Sequence, residues 1–196
     1  DLWVAIITGS GEKAFSVGGD IKEMAKANTT GGEYKIPKTG YGGLTSRFTC
    51  NKPLIAAVNG MALGGGFETA ISCDLVVAAE HSEFGLPEPM IGTVAYASGM
   101  HRLPRQIGLK AAMEMLLTAD RFSAQQAEAW GLVNYVVPAV DLMAEARKLA
   151  DRLLKCAPIA LQATKQCVMK GMTAPTLKTA MDWQEDGSYD LLTKMK

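Results

Sequence analysis

The sequence predicts an α/β fold in one globular domain, strand-rich in its first half and helical in its second. Three observations carry this. The apolar runs Val4–Thr8, Pro53–Val58 and Asp74–Ala79 are too short for helices and too uniformly apolar for half-exposed strands, so they read as buried strands. Beyond Ser98 the apolar residues recur with helical spacing. A chain of 196 residues that is 48% hydrophobic and 20% charged holds one core, and no linker, repeat or low-complexity stretch divides it.

The elements follow in order. Val4–Thr8 is a strand closed by Gly9. Asp20 is a helix N-cap, with Glu23 three residues on as in a capping box, so a helix opens at Ile21. Residues 28–46 hold Gly31, Gly32, Pro37, Gly40, Gly42 and Gly43 and are expected to form a mobile loop. Pro53–Val58 is a strand ended by Asn59-Gly60. The triplet Gly64-Gly65-Gly66 leads into a buried helix over 67–72, and Asp74–Ala79 returns as a strand. Glu83–Gly92, with Pro87 and Pro89, is expected to be an extended turn. Leu109–Leu117 is an apolar helix. Ser123 caps the next, with Gln126 at the box position and Gly131 as its stop. Leu132–Val137 is a strand, and Asp141–Cys156 and Pro158–Gly171 are amphipathic helices split by Ala157-Pro158.

Composition excludes several functions. Lys plus Arg and Asp plus Glu are 20 each, so the formal net charge is zero, and aromatics are 7%. Neither favours a nucleic-acid partner, which calls for a basic surplus and stacking rings. No apolar run approaches the ~20 residues that cross a bilayer. Cys50, Cys73, Cys156 and Cys167 form no C-x-x-C pair and read as reduced thiols, so the protein is expected to be cytoplasmic, or in the mitochondrial matrix if eukaryotic.

Three segments carry chemistry on paper. Gly9-Ser10-Gly11-Glu12-Lys13-Ala14 fits a dinucleotide fingerprint, but no helix follows it and no acid closes a second strand ~20 residues on, so a tight turn is the better reading. The glycine triplet lets a ligand reach the backbone where the first N–H groups of a helix lack partners, which suits an oxyanion or an anion. No Lys-Ser or Lys-Thr follows, so it is no P-loop, and close packing of a turn is the alternative. Glu68 sits in the first turn of an otherwise apolar helix, and Glu88 stands between two prolines. Two carboxyls at one site push their proton affinities apart, so one can serve as acid and one as base; singly, each reads as a capping or solvated charge. Neither His81 nor His101 sits in a nucleophile pattern, and there is no G-x-S-x-G elbow.

Jointly, Ala14–Met24, Lys52–Gly60, Leu63–Glu68, Cys73–Leu75, Phe84–Glu88 and Gly131–Asn134 resemble the crotonase (enoyl-CoA hydratase/isomerase) superfamily, in order and spacing over nearly the whole chain. The resemblance implies a ββα spiral core over residues 1–137, followed by a helical trimerisation part over 138–196. It implies an acyl-CoA thioester substrate, with CoA entering as part of that substrate and no separate cofactor or metal. It places the oxyanion-hole donors on Gly19 and Gly65, and the acyl-CoA along Ala14, Gly19, Asp20, Ile21 and Lys22. Glu68 and Glu88 stand 20 positions apart, the hydratase spacing, with Glu68 as base and Glu88 as acid. A homotrimer or homohexamer is implied, and the family's first strand and helix and its last helical tail are expected to lie beyond the two ends.

One departure concerns Tyr96, which stands where the family commonly has glycine beside the acyl group; its ring is read as pointing either into the pocket or outward. The resemblance favours hydration of a 2-enoyl-CoA to a 3-hydroxyacyl-CoA. A double-bond isomerase of the same family, and a non-catalytic RNA-binding or assembly member, are the alternatives.

Overall fold

The computed structural model describes residues 2–30, 34 and 36–195, without the side chains of Ile21, Ala25, Ala27, Asn28 and Thr30. Two four-stranded sheets organise it. The first takes β1 (Ala5–Thr8), β3 (Leu54–Val58), β5 (Leu75–Ala79) and β8 (Tyr135–Val137) in that spatial order, all parallel. The second takes β2 (Ala14–Ser16), β4 (Met61–Leu63), β6 (Glu83–Gly85) and β7 (Arg121–Ser123), parallel except for the last pair. From β1 to β6 successive strands alternate between the sheets, so the chain winds forward as a spiral; β7 then extends the second sheet and β8 the first.

β3 is buried throughout because both of its faces are covered. Ile55 and Ala57 face the helix α6 (Leu142–Leu154) through Leu142, Ala146 and Leu149. Ala56 and Val58 face the main core, which holds Phe67, Phe84 and Leu86. This is the period-two alternation of a strand buried on two sides. β1 is only half-buried, contrary to the expectation of a buried strand: it lies at the sheet edge, paired with β3 alone among the described residues.

The glycines at 9 and 11 belong to the turn between β1 and β2, as the tight-turn reading requires. Asn59 holds that turn, accepting from the Gly9 N–H at 3.0 Å and donating to the Gly11 carbonyl at 2.8 Å. The chain then enters β2, not a helix. Asp20 caps α1 (Ile21–Thr30), its Oδ1 accepting from the Lys22 N–H at 2.8 Å and the Glu23 N–H at 3.3 Å. The central helix α2 (Gly65–Ala70) is buried over its whole length.

Two loop expectations need correction. Residues 28–30 are helical, and Tyr41–Gly43 form a 3-10 turn with Leu44 and Thr45 buried beneath it, while Gly31 and Gly32 lie outside the described residues. Glycines at 40, 42 and 43 signal backbone freedom, yet here that freedom serves a fixed shape: Gly42 adopts φ 58°, and a Cβ on it would stand 2.8 Å from the Thr69 methyl of α2. The stretch 83–92 is likewise no extended turn. It holds β6 and a 3-10 turn at Glu88–Ile91, whose first positions accept Pro89 because their N–H groups need no helical partner.

The second half is helical: α3 (Gly99–Gln106), α4 (Leu109–Thr118), α5 (Ala124–Ala129), α6, α7 (Pro158–Gly171), α8 (Leu177–Glu185) and α9 (Asp190–Thr193). Ser123 and Gln126 form a reciprocal capping box on α5. Lys165 of α7 meets Asp74 at 2.7 Å, and the same carboxylate oxygen accepts from the Leu54 N–H at 2.8 Å, so α7 is pinned to the start of the first sheet.

Candidate active site

The site forms where two backbone turns touch. One follows β2 and carries Gly18 and Gly19; the other follows β4 and carries Gly64, Gly65 and Gly66. Parallel pairing of β2 with β4 brings them side by side. The approach is too close for side chains: a Cβ on Gly66 would stand 2.1 Å from the Ser16 carbonyl oxygen, and one on Gly18 would stand 2.9 Å from the Gly65 nitrogen. Gly64 takes φ 54° to turn the chain into α2. Gly65 is the first helical residue, so its N–H has no acceptor within the helix.

Glu68 follows the second turn in α2, and the Glu88 carboxylate lies against Gly64. Glu68 is 1% exposed, and its Oε1 accepts from the Gly99 N–H at 2.7 Å. Burial and the neighbouring Glu88 charge push its proton affinity up to about 7, against the opposing pull of the Gly99 and Ala97 N–H groups. Glu88 is half-buried, and a Cβ on Gly64 would stand 3.0 Å from its Oε1. Its Oε2 is buried with no hydrogen-bond partner among the described residues. Burial raises its pKa as well, against its own backbone N–H. Two acids at one site whose proton affinities are raised to different extents can divide the roles of acid and base.

Gly99 reaches Glu68 through an unusual residue. Ser98 holds φ 113°, a left-handed value rare for a non-glycine. A Cβ on Gly99 would stand 2.9 Å from the Ala95 Cβ and 3.1 Å from Glu68 Oε1.

Of the other residues singled out by sequence, Ala14 lies in β2 below the turn, and Asp20 and Lys22 are the cap and exposed first turn of α1. The side chain of Ile21 lies outside the described residues. Tyr96 is 82% exposed, so of the two readings of its ring the structure takes the outward one. His81 and His101 are exposed. Among the described residues no group of three His, Cys, Asp or Glu could hold a metal. A groove of about 490 Å³ lined by Ile71, Asp74, Arg102 and Lys165 lies at the far end of α2, away from both glutamates.

Sequence reasoning missed Tyr41. Its ring packs on Gly65, where an added Cβ would stand 3.0 Å from Cδ2, and its hydroxyl lies 2.9 Å from the Cβ position of Gly19. The signal was a tyrosine, Tyr41, flanked on both sides by glycine in a segment read as loop.

Comparison with known proteins gives the family. The family model described as enoyl-CoA hydratase/isomerase matches residues 1–196. The chain belongs to that family. The carnitinyl-CoA dehydratase of Proteus mirabilis is 43% identical over 165 residues, 84% of this chain and 62% of that protein. The chain thus spans less than two thirds of the length of such relatives. Among solved structures, an enoyl-CoA hydratase from Mycobacterium marinum is 38% identical with a TM-score of 0.86, covering 98% of this chain and 73% of that one. A carnitinyl-CoA dehydratase from Mycobacterium avium is 36% identical with a TM-score of 0.77, covering 98% and 72%. The enoyl-CoA hydratase/isomerase family and the crotonase fold expected from the motifs are therefore the ones found.

Proposed function

We propose that this chain forms the catalytic part of a hydro-lyase that adds water to a 2-enoyl-CoA thioester, or removes it from the 3-hydroxyacyl-CoA. The observation that carries the reading is the pair Glu68 and Glu88, both partly or wholly buried and both with raised pKa, Glu88 against Gly64 and Glu68 on the Gly99 N–H. The Gly19 and Gly65 N–H groups hold the thioester oxygen. Glu68, ionised, takes a proton from water as its oxygen bonds to the β-carbon. The electron pair of the double bond moves toward the thioester, where the two N–H groups stabilise the enolate charge. Glu88, protonated, then delivers its proton to the α-carbon. One proton enters Glu68 and one leaves Glu88, so the carboxyl pair is restored by a single proton exchange. Loss of one oxyanion donor would cost ~3 kcal/mol of transition-state stabilisation. This chemistry uses CoA as part of the substrate.

The relatives named carnitinyl-CoA dehydratase widen the substrate range to be tested. In this reading residues 1–137 are the acyl-CoA-binding core and 138–196 serve assembly. The test is turnover by the complete protein on a panel of linear, branched and polar enoyl-CoA thioesters, with crotonyl-CoA and carnitinyl-CoA included. Loss or gain of the conjugated thioester absorbance on at least one member is expected. No turnover on any of them, with thioester binding intact, would leave a binding protein instead.

A further inference from the structure

Tyr41 is held in place more firmly than a loop residue. Its N–H donates to Thr45 Oγ1 at 3.0 Å, Thr45 is 1% exposed, and the Thr45 carbonyl accepts from the Arg102 guanidinium at 3.3 Å. The 3-10 turn that carries it rests on α2, with Gly42 against Thr69. The ring therefore spans the two glycines that touch the site, its body on Gly65 and its hydroxyl at Gly19. The Tyr34 hydroxyl also stands 2.9 Å from the Cβ position of Gly19, so the two phenols face the same spot.

We propose that the Tyr41 hydroxyl, backed by Tyr34, is a third hydrogen-bond donor to the thioester end of the acyl group, beside the Gly19 and Gly65 N–H groups; this rests on the thioester reading of that glycine pair. Two hydroxyls carry two protons, and a bond between them would use only one. The pair keeps one proton for a ligand. Burial, then Tyr34 and the charges of Glu68 and Glu88, push the Tyr41 phenol above its ordinary value, so it stays a protonated donor at neutral pH. A donor fixed in advance where charge develops is what an oxyanion site requires.

Tyr41→Phe keeps the ring on Gly65 and removes the proton. The probe is 4-(dimethylamino)cinnamoyl-CoA, a conjugated thioester whose absorbance moves to the red when its carbonyl oxygen accepts hydrogen bonds. Bound to the complete wild-type protein it is expected to shift to the red, and to shift less in Tyr41→Phe. Crotonyl-CoA kcat should fall about tenfold or more with KM within about threefold, because the bond strengthens in the transition state. Tyr96→Phe, at an exposed position, should match the wild type in both. Protein made with 3-fluorotyrosine, a stronger donor of nearly the same shape, should move the probe further to the red, which tests the idea even if Tyr41→Phe folds poorly. An undiminished red shift in folded Tyr41→Phe, or none added by the fluorinated residue, overturns the donor role whatever the rate. A wild type that binds the probe without any shift overturns the thioester reading of the glycine pair itself.

Discussion

Glu68 makes the residue-scale chemistry measurable because its environment, not its neighbours in sequence, sets its proton affinity. Held at about 7, it must lose its proton to act as base while Glu88 keeps its own. Hydration should therefore fall as pH rises and Glu88 ionises, and fall as pH drops and Glu68 takes up its proton, the latter being the Glu68 limb. That limb belongs to the coupled pair with Glu88 and should vanish in Glu68→Gln. A profile flat from about pH 5 to about pH 9 would contradict the assignment. Glu68→Gln and Glu88→Gln should each lose ~100-fold or more in kcat while the fold survives; near-normal turnover in either removes that residue from the mechanism. Stability moves the other way. A folded pKa raised from 4.5 to about 7 gives a contribution fully present below about pH 4.5 and lost as pH rises through about 7. At 1.4 kcal/mol per pH unit the loss approaches ~3 kcal/mol. Glu68→Gln keeps an acceptor for Gly99 without the buried charge, so its stability relative to wild type should improve from pH 5 to pH 8 in parallel denaturant titrations.

At the scale of elements, turns that look alike in sequence do different things. The glycines around Tyr41 shape a rigid 3-10 turn against α2, whereas the Ser98 turn achieves a left-handed backbone without glycine. That Ser98 conformation is strained, and its side chain returns only part of the cost by accepting from Arg102 Nε at 3.0 Å. Ser98→Gly should therefore stabilise the protein by about 1 kcal/mol, read from the urea midpoint. A destabilised variant would show that the Arg102 contact outweighs the strain. Gly42→Ala should act oppositely. Its φ of 58° and its Cβ clash with Thr69 should cost about 1–2 kcal/mol. Because the same turn aims Tyr41, activity should fall beyond what lost stability explains.

Over the whole molecule, the spiral leaves apolar side chains uncovered. Leu109, Met113 and Leu117 form one exposed stripe on α4, and Leu177 and Met181 another on α8. One chain has too little polar surface to hide them, which fits the assembly that the family resemblance implies. Sedimentation of the complete protein should show three or six chains per particle. A monomer at micromolar concentration that still turns over substrate would refute this. No helix among the described residues is long and apolar enough to cross a membrane.

The sequence by itself determined the parts that depend on local pattern. Short apolar runs became the parallel strands, Ser123 and Gln126 the predicted capping box, and Pro158 the start of α7. The motifs around Gly19, Gly65, Glu68 and Glu88 were legible because their residue types and spacing are unusual in combination. Tertiary structure decided what depends on approach between distant segments. Only the β2–β4 pairing sets Gly18 against Gly65, and only the packing of the 40–45 turn on α2 brings Tyr41 across both glycines. Likewise the exposure of Tyr96 is set by the fold, and the proton affinity of Glu68 by how completely α2 is covered. A linear pattern specifies which residues can bury themselves or bend; it contains no distances across the fold, and electrostatics and close contact are functions of those distances.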